Sequence, residues 1–180
     1  SQPMFDESVV ASAGKLRWAF VYVKSGLEGK SFPTPTTPAV MDQHGCQYEP
    51  HVVGLMVNQP LEIINSDETL HNIHAMPTVN KQFNIGMPLK DMKQKKTFDK
   101  VEVMIPVKCD VHSWMASFIG VLPHPCFAVS SATGAYTISG LPPGTYTIEA
   151  WHEKLGAQTM EITVGPSEAK TADFTFKATS

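Results

Sequence analysis

Within 180 residues the chain holds 14 Lys+Arg against 17 Asp+Glu, a formal charge of −3, and 42% hydrophobic residues. A pI near 6.1 leaves no basic footprint for nucleic acid, and the apolar fraction is that of a chain able to bury a core rather than stay disordered. The longest apolar runs, such as Trp18–Val23 and Val101–Val107, fall well short of the roughly 20 residues that span a bilayer, so no transmembrane segment is expected. Three cysteines are too few, and odd in number, for a disulfide scaffold; they raise the question of a metal instead. The first residue is Ser1 rather than Met, as expected of a processed or trimmed start and compatible with an exported protein.

Twelve Gly and 14 Pro punctuate short stretches rich in Val, Ile, Thr, Tyr and Phe, which reads as all-β. In chain order the expected strands are Arg17–Val23, Val52–Val57, Leu61–Ile64, His71–Ala75, Val101–Val107, Phe118–Leu122, Ala135–Ile138, Tyr146–Ala150, Thr159–Val164 and Ala172–Lys177. So many strands call for sandwiches rather than one sheet. Pro33, Pro35 and Pro38 make Ser31–Ala39 a linker or crossing segment, because proline cannot pair continuously in a sheet. This places one boundary near residue 40. Leu122-Pro123-His124-Pro125 places a second near residue 123. The only segment with helical character is Met87–Lys96, read as a solvated loop or one helical turn. Its lysines, Lys90, Lys93, Lys95 and Lys96, would otherwise serve as a docking patch for an acidic partner.

The chemistry concentrates in Cys109-Asp110-Val111-His112-Ser113-Trp114-Met115, which follows one expected strand and precedes another. Thiolate, imidazole and thioether lie together there. One Cys and two His with a weak Met contact suit copper cycling between Cu(I) and Cu(II), because soft sulfur holds the first state and imidazole serves both. His71 is the expected second histidine, at the start of the strand that follows Asn65-Ser66-Asp67. Zinc held by His, His and Cys is the competing ion, although zinc favours a fourth strong ligand or a water over Met. His74 falls on the other side of an extended strand from the ligand position and is expected to be a surface or hydrogen-bonded residue. His44 and His51 read the same way, and His124 and His152 read as structural.

Over about residues 42–122 the chain resembles the cupredoxins, the small blue copper proteins of the plastocyanin and amicyanin type. The resemblance rests on Tyr48, Pro50, Val53, Leu61, Ile63, Asn65 and His71-Asn72, then on Val107-Lys108-Cys109, His112, Met115 and Ile119-Gly120-Val121. The Cys-x2-His-x2-Met spacing is similar to the short ligand loop of amicyanin. The resemblance implies a cupredoxin β-sandwich with one copper ion held by His71, Cys109 and His112, and Met115 as axial ligand. It implies a type 1 electron carrier, not an enzyme, in the periplasm or outside the cell. A redox protein, a c-type cytochrome first, is the implied partner, with the His112 ring as the exit for the electron.

A second resemblance covers Ala128–Val164. There Thr133-Gly134-Ala135-Tyr136, Gly140-Leu141-Pro142-Pro143-Gly144-Thr145-Tyr146 and Ala150-Trp151-His152 look like the carboxypeptidase regulatory-like, or transthyretin-like, β-sandwich. That family's role is mostly structural. Its missing early strand is sought in Lys15–Lys24, so a cupredoxin of residues 41–122 is expected inside or beside a sandwich built from 1–40 and 123–180.

No His-Glu-x-x-His, no Gly-x-Ser-x-Gly and no phosphate-cradling Gly-rich loop occurs, so common hydrolase patterns are absent. Besides electron transfer, two readings stay open: a metal-free structural module with a Cys46–Cys109 disulfide, and a copper carrier or sensor. Cys46 itself has three, given the resemblance: a buried thiol pointing inward with Tyr48, the disulfide partner of Cys109, or an additional copper ligand.

Overall fold

The computed structural model describes residues 11–12 and 14–177. It is all-β, with no helix among the described residues. In chain order the strands are β1 (Ala11–Ser12), β2 (Lys15–Leu16), β3 (Phe20–Ser25), β4 (Ala39–His44), β5 (Gln47–Glu49), β6 (Val52–Met56), β7 (Leu61–Asn65), β8 (His71–Ala75), β9 (Phe83–Met87), β10 (Lys93–Lys96), β11 (Glu102–Lys108), β12 (Ala116–Leu122), β13 (Phe127–Val129), β14 (Gly144–His152) and β15 (Gly156–Val164). The chain divides into two compact units, one of residues 1–31 with 126–180, the other Phe32–Pro125. These bounds lie outward of the expected 40/41 and 122/123. Ala39 and Val40 already pair with Leu61 and Glu62, so the chain is committed to the inner unit as soon as its prolines end.

The inner unit has two sheets, ordered β10-β7-β4-β5 and β6-β12-β11-β8-β9. Each strand that faces the interior alternates, as Leu61, Ile63 and Asn65 do when they turn inward from β7 while Glu62 and Ile64 stay half-buried. The apolar residues so aligned form one core: Met41, Tyr48, Leu55, Leu61, Ile63, Ile73, Phe98, Ile105, Ile119 and Val121 are all buried in it, with Cys109 and Met115 at its edge in sequence terms but fully inside in accessibility. Pairing is antiparallel except for β4 with β7 and β6 with β12, which run parallel.

The outer unit centres on the sheet β13-β3-β14-β15. Its central strand β3 has Phe20, Val21, Tyr22 and Val23 all buried, and pairs antiparallel with β13 on one side and β14 on the other. Phe20 stacks on Phe127 at 5.7 Å between centroids, and the Tyr22 hydroxyl donates to Glu149.

The strands expected at Ala135–Ile138 and Ala172–Lys177 do not form. Those segments run as irregular chain between Gly134 and Gly140 and beyond Gly165, touching through the Tyr136 hydroxyl, which donates to the Ala172 carbonyl, and through the Tyr136–Phe174 rings. Met87–Lys96 contains no helical turn. Its end is the edge strand β10, paired antiparallel with β7, with Lys93 and Lys95 exposed and Gln94 and Lys96 half-buried. Lysines on an edge discourage pairing with another chain, and that is why such a strand reads as a solvated loop. Strands β4, β5, β9 and β13 were not expected either; β4 carries the polar Gln43 on its buried face, whereas β9 does alternate, with Phe83, Ile85 and Met87 on one face.

Two outcomes follow. Since β14 shares its ladder with β3, residues 126–180 expressed alone should show no cooperative thermal melt, whereas the full chain should; a sharp melt of the fragment would disprove the dependence. Glu102 accepts hydrogen bonds from the backbone N–H of Thr78, Val79 and Asn80 at 2.8–3.0 Å. Burial pushes its carboxyl up, but these donors together hold it below its ordinary 4.5. A depressed folded pKa stabilises above the unfolded value and is lost as pH falls. Unfolding midpoints should therefore drop as pH goes below about 4.5, and Glu102→Gln should flatten that acid limb in a pH series of urea melts.

Candidate metal centre

Two loops and one hairpin turn build the site. Strand β8 opens with His71, fully buried, and the loop between β11 and β12 carries Cys109, His112 and Met115. That loop closes on itself: the Cys109 N–H donates to the Met115 carbonyl at 3.3 Å, and the Met115 N–H to the His112 carbonyl at 3.1 Å. The two strands that hold the halves pair directly, Lys108 opposite His74, so the histidine of one and the loop of the other are neighbours by register.

The donor atoms converge. His71 Nδ1 lies 3.1 Å from His112 Nδ1, and His112 Nδ1 lies 3.6 Å from Cys109 Sγ. One ligand atom from each of His71, Cys109 and His112 falls within 4.8 Å of the others. Met115 and Cys109 are both buried in the adjoining core. Burial first, then the His71 ring, hold the His112 pKa below its ordinary value against the opposing pull of Asp67.

What orients His71 is Asp67. The His71 Nε2–H donates to Asp67 Oδ2 at 2.7 Å, which turns Nδ1 towards the other two donors. A carboxylate behind a histidine fixes its tautomer in this way at metal sites generally. The same carboxylate takes the backbone N–H of Gly45 and of Cys46, each at 2.9 Å, and Asp67 is itself held by its N–H on Asn65 Oδ1 at 2.9 Å. Burial raises its pKa, but these donors outweigh that and keep it ionised below the usual range. On the other side, Asn72 accepts the Asp110 N–H at 2.6 Å and donates to Asp110 Oδ2 at 2.9 Å, while the Tyr48 hydroxyl donates to the Asn72 carbonyl at 2.5 Å. Asn84, then His74 and Asn72, draw the Asp110 carboxyl down to about 2. The ligand loop is thus tied to β8 by its own second residue.

His74 sits 3.3 Å from Asp110 Oδ1 and away from the donor cluster, as its place on the strand required. His51 is buried and bonds the Ala116 carbonyl at 3.0 Å; His44 is exposed, 3.9 Å from Asp67. His152 is buried in the outer unit, where its Nδ1 accepts the N–H of Lys154 and Leu155. Trp114 covers the site, its ring 5.1 Å from that of His112.

Cys46 departs from expectation. It is not a strand residue alternating with Tyr48 but the second residue of a two-residue turn between β4 and β5, with Gly45 at φ 61° and Cys46 at φ 56°, a left-handed pair that matches the twist of a hairpin. Its thiol is half-buried, that of Cys109 is buried, and neither is in a disulfide, so the Cys46–Cys109 disulfide is not formed. Its Sγ lies 3.9 Å from His112 Nε2, at the ring edge opposite the one that faces Cys109. Burial, then the charge of Asp67, push its pKa up.

Residues 127–177 match the family model of the carboxypeptidase regulatory-like domain. That stretch contains β13, β14 and β15, so the regulatory-like segment supplies the greater part of the outer unit's main sheet and lacks only β3. No curated protein matches the chain. Among solved structures the chain is similar to cupredoxins. One is a purple cupredoxin from Nitrosopumilus maritimus, at 20% identity and a TM-score of 0.39, covering 46% of this chain and 98% of that one. Another is an amicyanin variant in its Cu(I) form, at 20% identity and a TM-score of 0.42, covering 56% and 97%. A copper-containing nitrite reductase from Thermus scotoductus SA-01 is similar at 19% identity and a TM-score of 0.41, covering 54% of this chain and 24% of that one.

Sequence reasoning missed Asp67. The available signal was its position four residues before His71, a spacing that lets a carboxylate at the end of one strand reach back to a histidine at the start of the next. Replacing Asp67 by Ala should leave two backbone N–H groups and one ring N–H without their acceptor, at a cost of about 1–3 kcal/mol in a urea melt of metal-free protein. The His71 ring nitrogens should also lose their fixed tautomer in 15N NMR. An unchanged melt and spectrum would show that the carboxylate is not the anchor.

Proposed function

We propose that the inner unit holds one copper ion through His71, Cys109 and His112, with Met115 as the axial contact, and serves as an electron carrier rather than an enzyme. The observation that carries this reading is that one ring nitrogen each of His71 and His112 and the Cys109 sulfur lie within 4.8 Å of one another. The donor set fits the ion: two nitrogens and one soft sulfur beside a buried Met match copper better than zinc, which favours a fourth strong ligand or a water over Met. Copper held there would supply one-electron exchange between Cu(I) and Cu(II).

The chain's own residues supply rigidity. Asp67 fixes the His71 ring, and Asn72 with Asp110 fixes the start of the ligand loop. Met115 and Tyr48, both buried, close the inner side to water. A frame held by packing and hydrogen bonds on both ligand sources changes little between charge states of its contents, which keeps reorganisation small. On the outer side, Leu70, Val111 and Trp114 are large apolar residues 43–50% exposed, each next to or one removed from a ligand in sequence. That apolar rim supports a protein partner, and a redox protein such as a c-type cytochrome fits the role. An exported setting, periplasmic or extracellular, is part of the same proposal.

The test is reconstitution of reduced protein with copper. Wild-type protein should bind one ion and, once oxidised, absorb in the visible through the Cys109 thiolate; Cys109→Ser should bleach that band. His71→Ala and His112→Ala should lower affinity by about 10-fold or more, and Met115→Leu should retain copper with a shifted potential. Zinc in preference to copper, or no metal at all in the reduced protein, would sink the reading and leave a structural module.

A further inference from the structure

Cys46 is held in place more firmly than a solvent-facing turn residue needs. Its N–H goes to Asp67, its carbonyl accepts the Trp114 indole N–H at 2.8 Å, and its backbone is kept at a positive φ that non-glycine residues seldom adopt. The result is a thiol aimed at the outer nitrogen of His112, with Cys46, Asp67 and His71 donor atoms also within 4.8 Å of one another. The 3.9 Å between Cys46 Sγ and His112 Nε2 fits within the span of a thiolate bond of about 2.3 Å and an imidazole bond of about 2.0 Å meeting on one ion.

We propose that Cys46 Sγ and His112 Nε2 form an outer docking position for Cu(I), from which the ion is handed to the inner donors Cys109, His71 and His112 Nδ1. This rests on the copper reading above. A neutral imidazole has one lone pair, so His112 serves the outer position through Nε2 or the inner one through Nδ1, never both. The two positions are therefore successive stations for one ion. In the first step the Cys46 thiol loses its proton to water, and Cys46 Sγ and His112 Nε2 bond to Cu(I) as the donor's ligands leave. In the second, those two bonds break while Cys109 Sγ, His71 Nδ1 and His112 Nδ1 form theirs. The Cys109 thiol proton is released as Cys46 regains one, and the His112 proton passes from Nδ1 to Nε2 through water. The ion stays Cu(I), and no electron moves. Soft sulfur at the outer post suits that oxidation state.

The experiment follows Cu(I) supplied as its bicinchoninate complex to reduced, metal-free protein by stopped flow, with final stoichiometry read from the loss of the complex's colour. Wild-type protein should end with one ion. Cys46→Ser and Cys46→Ala should also end with one ion and the same visible band after oxidation, but load more slowly by about 10-fold or more. Cys109→Ser, which lacks the inner thiolate, should still take one ion with a single sulfur ligand in X-ray absorption, and Cys46→Ser combined with Cys109→Ser should take none. Wild-type loading rates in both Cys46 variants, or no binding by Cys109→Ser, would overturn the outer position while leaving the inner centre intact. Binding by Cys109→Ser together with none by Cys46→Ser would instead remove the inner centre, and the handover with it.

Discussion

One carboxylate ties the candidate site together. Asp67 receives the ring N–H of His71 and the backbone N–H groups of Gly45 and Cys46, so a single ionised side chain sets a histidine tautomer and pins a strained hairpin turn. Because the turn carries Cys46 and the histidine carries one of the inner donors, the geometry on both edges of the imidazoles is referred to the same two oxygen atoms. Hydrogen bonds to a charged acceptor are the stronger kind, and three of them in a partly enclosed place make Asp67 a fixed point rather than a surface charge.

The second tie is neutral on one side and charged on the other. Asn72 exchanges two hydrogen bonds with Asp110, and Asn84 and His74 complete the shell of that carboxylate. Since Asn72 follows His71 and Asp110 follows Cys109, the pair locks together the positions next to two inner donors. Side-chain bonds placed one residue from a ligand act on the backbone that carries it, which constrains the ligand without competing for its lone pair.

Beneath these polar ties lies a closed apolar layer. Tyr48, Ile73, Val107, Cys109 and Met115 belong to one buried cluster, so the sulfur atoms sit where water is excluded while the outer edge of His112 meets Trp114 and Cys46. A site with a dry inner wall and a half-exposed outer wall has direction: whatever arrives or leaves does so past the same three side chains.

The amino-acid sequence by itself determined the class of fold and named the candidate inner donors. Short β-branched runs between Gly and Pro point to strands, and a Cys, a His and a Met crowded into one loop point to a metal through residue type alone. It singled out His71 as a second histidine, at the start of the strand after Asn65-Ser66-Asp67. Tertiary structure decided what depends on approach in space. The edge strand β10 was hidden by its lysines, since pairing with β7 is a property of the neighbour and not of the run. The strands expected at Ala135–Ile138 and Ala172–Lys177 do not form: the segments meet through the Tyr136 hydroxyl on the Ala172 carbonyl and through the Tyr136 and Phe174 rings, not through a backbone ladder. Asp67 and Cys46 took their roles only when the β4–β5 turn was brought against the loop before β8, through backbone N–H groups that every residue possesses and no sequence pattern marks.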